Sequence, residues 1–579
     1  MVSLLASLKV REGLGRGMDP LSSYLFVIVM EVLTCILKEK SNKPDFRFHW
    51  RCSQPKIINL CFADDLMLFC KGDVSSVKHI QDSLHEFESL SGLSPSPGKS
   101  NVFFSGVQYS TREEILLMLG FKEGFLPVRY LGVPLLSTKL KHIDCKTMID
   151  RITSKTKTWT NRDLTYAGRV QLIKNVLFSM QTYWSSLFIL PKKVINEVET
   201  ILRSFLWSGP DLKRTGAKVS WEQLCCPKQE GGLGFKSILV WNKAAIAKHI
   251  WFLISGGEQS MWCQWVKSYL LKGKSFWEVK MPSSPSWVWR KLLNLRPIVQ
   301  PHIKIVIGNG KATSLWFDNW HPLGPLAHKF GPRVIYDLGL TKDATVDAII
   351  RGSNWGLPIT QTLEINEIRH AMSSIPKPNK DLEDQFRWEL NSNGEFSISS
   401  LWNELRTQYP KVPWHSSIWF PGHIPKCSMI TWLAIHNRLY TGDRLVLFGT
   451  IPVSCCSFCT GIESHDHLFF NCPLISQIWS RMQAHINVSW PPRSWGDWIN
   501  HISTFKGKSL KNLIIKLIFT ATIYQIWMER NNRKFQNASC TVPTVVAKIH
   551  MMVRYRLLSL DSLPHGQHCQ DLLTKWGIT

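Results

Sequence analysis

The sequence lacks a long uninterrupted run of apolar residues, which excludes an obvious membrane-spanning helix. Such a helix needs about 20 apolar residues, whereas the most apolar stretch, 510–527, is broken by Lys511 and Lys516, and the shorter stretch 23–37 carries Glu31. We therefore predict no membrane span, and we interpret 510–527 as a buried amphipathic helix. A signal peptide is also missing ahead of the 15 cysteines. An intracellular protein of the nucleus or cytoplasm is indicated, with metal binding favoured over disulfides.

Acidic side chains are scarce. The chain has 69 Lys and Arg against 43 Asp and Glu, a formal net charge of +26. This excess attracts a polyanion through Coulomb interaction and counterion release, so RNA or DNA is the natural partner. A generally basic surface is the alternative. The 26 tryptophans could stack on bases, but we expect most of them to anchor hydrophobic cores.

Residues 13 to 105 have the pattern helix, hairpin, helix, strand. Asp19-Pro20 is typical of a helix start. Two apolar runs, 56–61 and 66–71, flank Phe62-Ala63-Asp64-Asp65 and predict a β-hairpin with acids at its tip. A second helix ends at Gly92, and a strand follows at 101–105. The predicted core-facing positions are Leu21, Tyr24, Leu25, Ile28, Val29, Val32 and Leu33 in the first helix, and Val77, Ile80, Leu84, Phe87 and Leu90 in the second.

The rest of the chain has less regular patterns. Residues 140–180 are helical and basic, with Arg169 and Lys174 among the cations around an apolar stripe. Residues 210–380 contain GGLGF, IGNGKATSLWFDNW and many prolines, which indicate turns and short strands. A helical tail is predicted beyond residue 485. We find no internal repeat and no low-complexity linker.

Asp64 and Asp65 are the first chemically informative pair. Adjacent carboxylates at a hairpin tip are costly in solvation unless a cation lies beside them. Nucleotidyl transfer uses two magnesium ions held by carboxylate oxygens. Because strand alternation turns neighbouring side chains to opposite faces, we favour Asp64 as the better ligand. Aspartate is also an ordinary turn residue, so the pair alone leaves both interpretations open.

The sequence around this pair resembles a known family. FADD between apolar strands resembles the metal-binding motif C of reverse transcriptases of the long interspersed, non-LTR retrotransposon type. Further blocks follow the family's order: GLGRGMDPLSSYLF at 13–26 resembles motif B, SGLSPSPGKSNVFFSG at 91–106 motif D, and VRYLGVPL at 128–135 motif E. WTNRDLTYAGRVQLIKNVLFSM at 159–180 is similar to the helical segment that follows in plant elements. Together the blocks cover about residues 11 to 240.

The resemblance implies roles for particular residues. Asp64 and Asp65 would bind the catalytic Mg²⁺ ions, and Lys99 would lie near the phosphates of the incoming nucleotide. The motif B turn, which contains Arg16, would contact nucleotide and template. Two departures weaken these roles. Motif B has the longer form G-L-G-R-G-M-D-P, and the segment MVSLLASLKVRE offers no substitute for the family's third metal-binding aspartate. The fingers subdomain is missing as well, so we expect no significant polymerase activity.

A second set of ligands lies between residues 456 and 472. Cys456, Cys459, His467 and Cys472 have a spacing and donor set that suit tetrahedral zinc. Cys455 and His465 are neighbouring alternatives, and the spacing favours the first set. Unliganded buried cysteines remain a further alternative.

The segments IWFPGHIPKCSMITWLAIHNRLYTGDRL and HDHLFFNCPLISQIW resemble the zinc-binding domain that follows reverse transcriptase in plant elements of this type. We expect Zn²⁺ to close a small domain that presents Lys426, Arg438 and Arg444, with nearby Trp432, to RNA or DNA. A structural zinc without any nucleic-acid contact is the alternative.

The sequence thus predicts an α+β, multi-domain protein that resembles part of a right-hand polymerase. Its expected function is that of a retrotransposon-derived reverse transcriptase fragment, inactive alone, with RNA template and DNA as partners. A non-catalytic nucleic-acid-binding protein is the alternative, and a coding sequence with no cellular role is a third. The predicted domains are a partial palm with motifs B to E (1–136), a basic helical thumb-like region (137–240), a connecting region (241–384), the zinc-binding domain (385–485) and a helical tail (486–579).

Overall fold

The computed structural model describes residues 2–10, 21–159, 164–212, 216–357, 362–486, 488, 490, 494–507, 509–560 and 567–578. The chain divides into two compact units that alternate along the sequence. The first comprises Met1–Asp144, Ser186–Ile189 and Lys243–Trp402, and the second Cys145–Ser185, Leu190–Asn242 and Asn403–Thr579. All strands in the described residues belong to the first unit, and the second is helical there, so the α+β prediction is confirmed.

The first unit begins with a six-stranded sheet and three helices. In chain order these elements, with a small hairpin after them, are β1 (Val2–Val10), α1 (Ser22–Lys40), β2 (Asn59–Phe62), β3 (Asp65–Cys70), α2 (Val74–Ser91), β4 (Leu93–Pro95), β5 (Asn101–Phe104), α3 (Tyr109–Leu119), β6 (Lys122–Glu123), β7 (Val128–Tyr130) and β8 (Val133–Leu135). The sheet order is β2-β3-β1-β5-β6, and β4 also pairs with β1. The predicted hairpin is present as β2 and β3.

Helices α1, α2 and α3 pack on one face of this sheet. Side chains along β3 alternate in burial, because successive residues of a strand point to opposite faces. The core side is formed by Leu66 and Leu68 with Leu33, Phe87 and Ile115 of the three helices, all 0% exposed. Asp65 therefore lies on the face away from this core.

The predicted core face of α1 is largely wrong. Tyr24, Leu25 and Ile28 are 72%, 56% and 62% exposed, while Leu33 and Leu37 are fully buried. The most deeply buried side chains of α1, Leu33 and Leu37, lie towards its C-terminal end, whereas Phe26 and Val29 are only partly buried against the core. Hydrophobic spacing finds an apolar stripe, but it does not tell how much of that stripe is covered. The predicted helix start at Asp19 lies outside the described residues.

Residues 140–254 form helices α4 (Lys146–Thr158), α5 (Tyr166–Leu172), α6 (Phe178–Leu187), α7 (Lys192–Ser208), α8 (Trp221–Cys225) and α9 (Ile238–Ile254). A single π-helical segment, Ile173–Leu177, joins α5 to α6. The helical pattern predicted for 140–180 is confirmed. Helix α9 was missed, because buried residues such as Ala244, Ile246 and Leu253 occur on several sides of it and leave no single apolar face.

The remainder of the first unit contains more helix than the predicted turns and short strands. Its elements are α10 (Met261–Val266), α11 (Trp287–Asn294), α12 (Arg296–Val299), β9 (Ile303–Val306), α13 (Leu326–Phe330), α14 (Arg333–Asp337), β10 (Ile350–Arg351), β11 (Asn354–Trp355), α15 (Leu363–Met372), β12 (Gln385–Trp388) and α16 (Ile398–Leu405). Strands β9 and β12 pair antiparallel, as do β10 and β11.

The glycine-rich segment 308–313 donates hydrogen bonds to the carboxylate of Asp384. Backbone N–H groups of Gly308 and Gly310 donate to Asp384 Oδ1, both at 2.9 Å. Ala312 N–H and the Thr313 hydroxyl donate to Asp384 Oδ2 at 3.3 and 2.7 Å. A side chain at Gly310 would meet backbone at 2.7 Å, and its φ is +73°. The glycines are therefore explained by this turn.

The C-terminal part of the second unit is helical. It comprises α17 (His415–Ile418), α18 (Pro425–Ile435), α19 (Gly442–Leu447), α20 (Pro473–Ile486), α21 (Trp495–Thr504), α22 (Leu510–Asn531), α23 (Val542–Leu558) and α24 (Gln567–Lys575). Helix α22 is buried over most of its length, as predicted for 510–527. No helix within the described ranges is long and apolar enough to cross a membrane.

Aromatic side chains fill the core beside α22. Trp479 and Trp498 lie 4.2 Å apart between ring centroids, and Phe470 and Phe519 stack on Trp498 at 4.9 and 5.6 Å. Several tryptophans elsewhere are also buried, including Trp316, Trp320 and Trp388. The expectation that most tryptophans serve as core anchors agrees with these positions.

Candidate metal centre and nucleic-acid interface

Four side chains of the second unit converge on one point. Cys456, Cys459, His467 and Cys472 each offer one ligand atom, and these atoms all lie within 4.8 Å of one another. In tetrahedral zinc sites, bonds of about 2.0–2.3 Å separate the ligand atoms by roughly 3.3–3.8 Å. A small contraction would therefore bring this donor set to zinc geometry. Four protein ligands leave no open position, which is typical of a structural site.

The first two cysteines lie in a tight loop. Cys456 N–H donates to Gly461 O at 2.9 Å and closes the loop. Inside it, Phe458 N–H points at Cys456 Sγ and Gly461 N–H at Cys459 Sγ, both at 3.4 Å. Backbone N–H groups aimed at sulfur stabilise thiolate, the form that binds metal.

The other two ligands flank a single π-helical turn, His467–Asn471. Cys472 N–H donates to His467 O at 2.9 Å, and α20 begins at the next residue, Pro473. His467 Nε2 lies 3.2 Å from Cys459 Sγ. The turn thus places His467 and Cys472 beside the loop that contains Cys456 and Cys459.

The two alternative ligands lie apart from the cluster. Cys455 is exposed and forms a β-bridge with Ile462. The His465 ring stacks on Trp495 with centroids 4.9 Å apart, and burial lowers its pKa to about 4. The structure therefore brings together the set that spacing favoured.

Glu463, between the second and third ligands, is fully buried and was not singled out from the sequence. Its carboxylate accepts Nη2–H of Arg530 and the backbone N–H of Gly442, both at 2.6 Å. Glu463 and Arg530 are 67 residues apart, and no local pattern connects them. The contact joins the metal loop to α19 and α22.

The hairpin acids differ in exposure. Ala63 has φ of 51°, which forms the turn between β2 and β3. Asp64 is exposed, whereas Asp65 opens β3 and is half-buried. Burial, and then the neighbouring charge of Asp64, raise the pKa of Asp65. Two carboxylates are thus present at the tip as predicted.

Strand β1 is the neighbour of β3 in the sheet, with Ser7 opposite Asp65. The segment VSLLASLKV contains no acid. In the part of the chain that the structure describes, the Cys/His cluster is the one group of three or more candidate metal ligands. Asp64 and Asp65 do not belong to such a group of described residues.

The remaining polymerase-like residues are placed separately. Lys99 is exposed in the turn before β5. The motif E segment forms the β7–β8 hairpin, with Leu131 and Gly132 at φ of 50° and 79°. Arg16 and most of motif B lie outside the described residues.

Four of the other cations predicted to bind nucleic acid have different surroundings. Arg169 donates to Leu206 O at 3.3 Å, and Lys174 donates to Leu233 O. Burial, and then Lys228, lower the pKa of Lys174 to about 8. Both therefore have partners inside the second unit.

Lys426 is half-buried, as Arg169 and Lys174 are, and its ammonium is 5.4 Å from the Tyr524 ring centroid. Arg438 is exposed beside α19. Trp432, in contrast, is 0% exposed, and its Nε1–H donates to Gly231 O at 2.9 Å. The expectation that Trp432 faces nucleic acid is wrong, because tertiary packing uses it as a core side chain.

Comparison with known proteins identifies a zinc-binding family match in the region of the Cys/His cluster. Residues 396–479 match the family described as zinc-binding in reverse transcriptase. The chain is 25% identical over 363 residues to an Arabidopsis thaliana protein named "Putative ribonuclease H protein", covering 60% of this chain and 57% of that one. It is 29% identical over 153 residues to an uncharacterized mitochondrial protein of the same plant, covering 26% of this chain and 99% of that one.

The four metal ligands fall inside the matched range. Residues 396–479 are therefore similar to the zinc-binding domain of reverse transcriptases. The chain is also similar to the two plant proteins over the lengths given above. The chain spans only about 57% of the length of the first relative.

Proposed function

We propose that residues 1–579 are a retrotransposon-derived reverse transcriptase fragment that binds RNA template and DNA but does not polymerise by itself. The observation that carries the proposal is the Cys3His cluster inside the range that matches the reverse transcriptase zinc-binding family. The net charge of +26 supports a nucleic-acid partner. The order of the motifs from 13 to 135 supports a polymerase origin.

Zinc has a structural role in this proposal. Cys456, Cys459, His467 and Cys472 would hold it, and a bound ion would fix the loop that carries Glu463. Because folding and metal binding are coupled in small sites of this kind, the bound ion would stabilise the surrounding helices. The nucleic-acid contacts are then made by side chains beside the loop and not by the metal.

The strand beside the hairpin supports the expected lack of polymerase activity. A magnesium pair needs carboxylates from more than one strand to set its geometry, and β1, which pairs with β3, has Ser7 opposite Asp65. Each 1.4 kcal/mol lost from transition-state stabilisation costs about tenfold in rate. We expect the two acids alone to be insufficient.

Primer extension with the purified chain and Mg²⁺ tests this proposal, with Asp64→Ala as the comparison. We expect equal, background-level extension from both proteins, together with binding of the same template-primer in a gel-shift assay. Extension by the original chain that Asp64→Ala abolishes would overturn the inactive assignment. Failure to bind any nucleic acid would overturn the binding assignment.

A non-catalytic nucleic-acid-binding protein is the second candidate, favoured by the closed four-ligand cluster. Sequencing of the transcript upstream of the Met1 codon separates the two. A continuous open frame that encodes an aspartate-bearing strand supports a polymerase. Intervening stop codons support the binding protein.

A further inference from the structure

A surface pocket of about 480 Å³ lies in the second unit, between the 216–218 loop and the segment that contains α19. Its charged and aromatic lining residues are Lys218, Arg438, Tyr440, Arg444 and Phe448. Neither the family match, which covers 396–479, nor any motif in the sequence assigns a role to Lys218. The pocket requires the 216–218 loop as well as the matched domain.

Three cations line this pocket, and its lining contains no acidic side chain among the residues that the structure describes. Within the described residues, Lys218, Arg438 and Arg444 form no ion pair, and the ion pairs of the second unit join other residues. Burial, and then the charge of Arg444, lower the pKa of Lys218 to about 8. Arg444 Nη1 donates to Asn437 O, whereas Arg444 Nε is buried and has no hydrogen-bond partner among the described residues. Cations held together without a counter-ion make a favourable place for a phosphate.

Two aromatic rings stand beside the cations. Tyr440 and Phe448 are 39% and 53% exposed, and their centroids lie 6.3 Å apart in an edge-to-face arrangement. One face of Tyr440 is covered by the Lys218 ammonium, 3.4 Å from the ring centroid. Phe448 has the Arg444 guanidinium 5.3 Å from its centroid. Exposed rings next to phosphate-binding cations are the combination that single-stranded nucleic acids require.

We propose that this pocket binds a nucleotide unit of single-stranded nucleic acid, with its phosphate at Lys218, Arg438 and Arg444 and its base against Phe448. A double helix fits less well, because its bases are already stacked on one another and cannot cover an isolated ring. This inference rests on the proposed function only in requiring that the chain binds nucleic acid. It names the side chains and the strandedness.

The loop between Cys459 and His467 is hydrogen-bonded to the start of α19, the helix that lines the pocket. Gly442 N–H and Asp443 N–H, at the start of α19, donate to Glu463 Oε1 at 2.6 Å and to Glu463 O at 3.0 Å. Asp443 Oδ2 in turn accepts the His465 N–H at 3.3 Å. Since α19 carries Arg444, an ordered metal loop holds this cation in place.

Fluorescence anisotropy with the full chain tests the proposal, using one sequence as single-stranded RNA, single-stranded DNA and duplex DNA. The first variant is Arg438→Gln, with Arg481→Gln on the exposed side of α20 as its matched control. We expect Arg438→Gln to weaken single-strand binding about fivefold and to reduce the slope of log K against log salt by about 0.7. Arg481→Gln should bind like the original chain.

The second variant is Phe448→Ala, with its neighbour Leu447→Ala, 81% exposed and outside the pocket lining, as control. We expect about tenfold weaker binding of the single strand for Phe448→Ala and no change for duplex. Both side chains are exposed, so neither variant should unfold the protein. The preferred ligand is the single strand, RNA or DNA, for which Phe448→Ala lowers the affinity more relative to the original chain.

The outcomes separate the two proposals. If the original chain binds single strands and both variants bind like their controls, the pocket assignment is wrong while the proposed function stands. Equal weakening of duplex and single strand by Phe448→Ala contradicts the stacked base. If the original chain binds no nucleic acid, both proposals fail.

Discussion

The Arg530 guanidinium and the Glu463 carboxylate form an ion pair that is closed to water. Arg530 Nη2 lies 2.6 Å from Glu463 Oε1, and Arg530 Nε lies 3.2 Å from both carboxylate oxygens. The two side chains are 1% and 0% exposed. Because Arg530 belongs to α22 and Glu463 to the loop between Cys459 and His467, the pair fastens the candidate metal loop to the C-terminal helices.

Replacing one partner of this pair should be strongly destabilising. Glu463→Gln leaves the guanidinium buried without its counter-charge, which costs about 3–5 kcal/mol of unfolding free energy. Urea unfolding followed by circular dichroism measures the loss. The exposed Glu222→Gln on α8 is the control and should change stability by less than about 0.5 kcal/mol. A loss below about 1 kcal/mol for Glu463→Gln would show that the pair is not essential to the fold.

Zinc content should depend on Cys472 and not on Cys455. Cys472→Ser removes one of four converging ligands, whereas Cys455→Ser changes an exposed neighbour outside the cluster. We expect the original chain and Cys455→Ser to retain one zinc ion per chain after dialysis, as measured by elemental analysis. Cys472→Ser should lose zinc and melt at a lower temperature. Full zinc retention by Cys472→Ser would contradict the assigned ligand set.

Acid should destabilise the first unit through His321. This side chain is 3% exposed; its Nε2 lies 3.2 Å from Ile368 O, and its Nδ1 accepts the Leu323 N–H at 3.2 Å. One ring nitrogen thus donates and the other accepts, as in a neutral imidazole. Burial lowers the pKa of His321 to about 4. The unfolded chain, with a pKa of about 6.5, binds the proton first as pH falls, so stability is lost as pH falls below about 6.5 towards 4.

The measurement is the stability difference between the original chain and His321→Asn as a function of pH, which cancels other titrating groups. We expect the unfolding free energy of the original chain to fall by about 2 kcal/mol relative to that of His321→Asn between pH 7 and pH 5. His85→Asn is the control, because His85 is exposed on α2. A difference independent of pH would mean that His321 does not carry the effect.

Part of the fold could be predicted because it depends on neighbouring residues. The β2–β3 hairpin and α2, which ends at Gly92 with φ of 69°, follow from short-range alternation and a residue that tolerates left-handed backbone. Burial was less predictable. Tyr24 and Ile28 have the spacing of a core face yet are exposed, because coverage depends on what packs against α1.

What the sequence by itself determined is the chemistry of the candidate sites. The Cys3His set is close in the chain, so spacing alone identifies its members, and the acids of the hairpin are adjacent. Tertiary structure alone decided which distant groups meet them: Arg530 at Glu463, Lys218 beside Arg444, and Ser7 opposite Asp65. It also buried Trp432. The physical reason is that local geometry follows from a few consecutive dihedral angles, whereas long-range partners and burial follow from how whole elements pack.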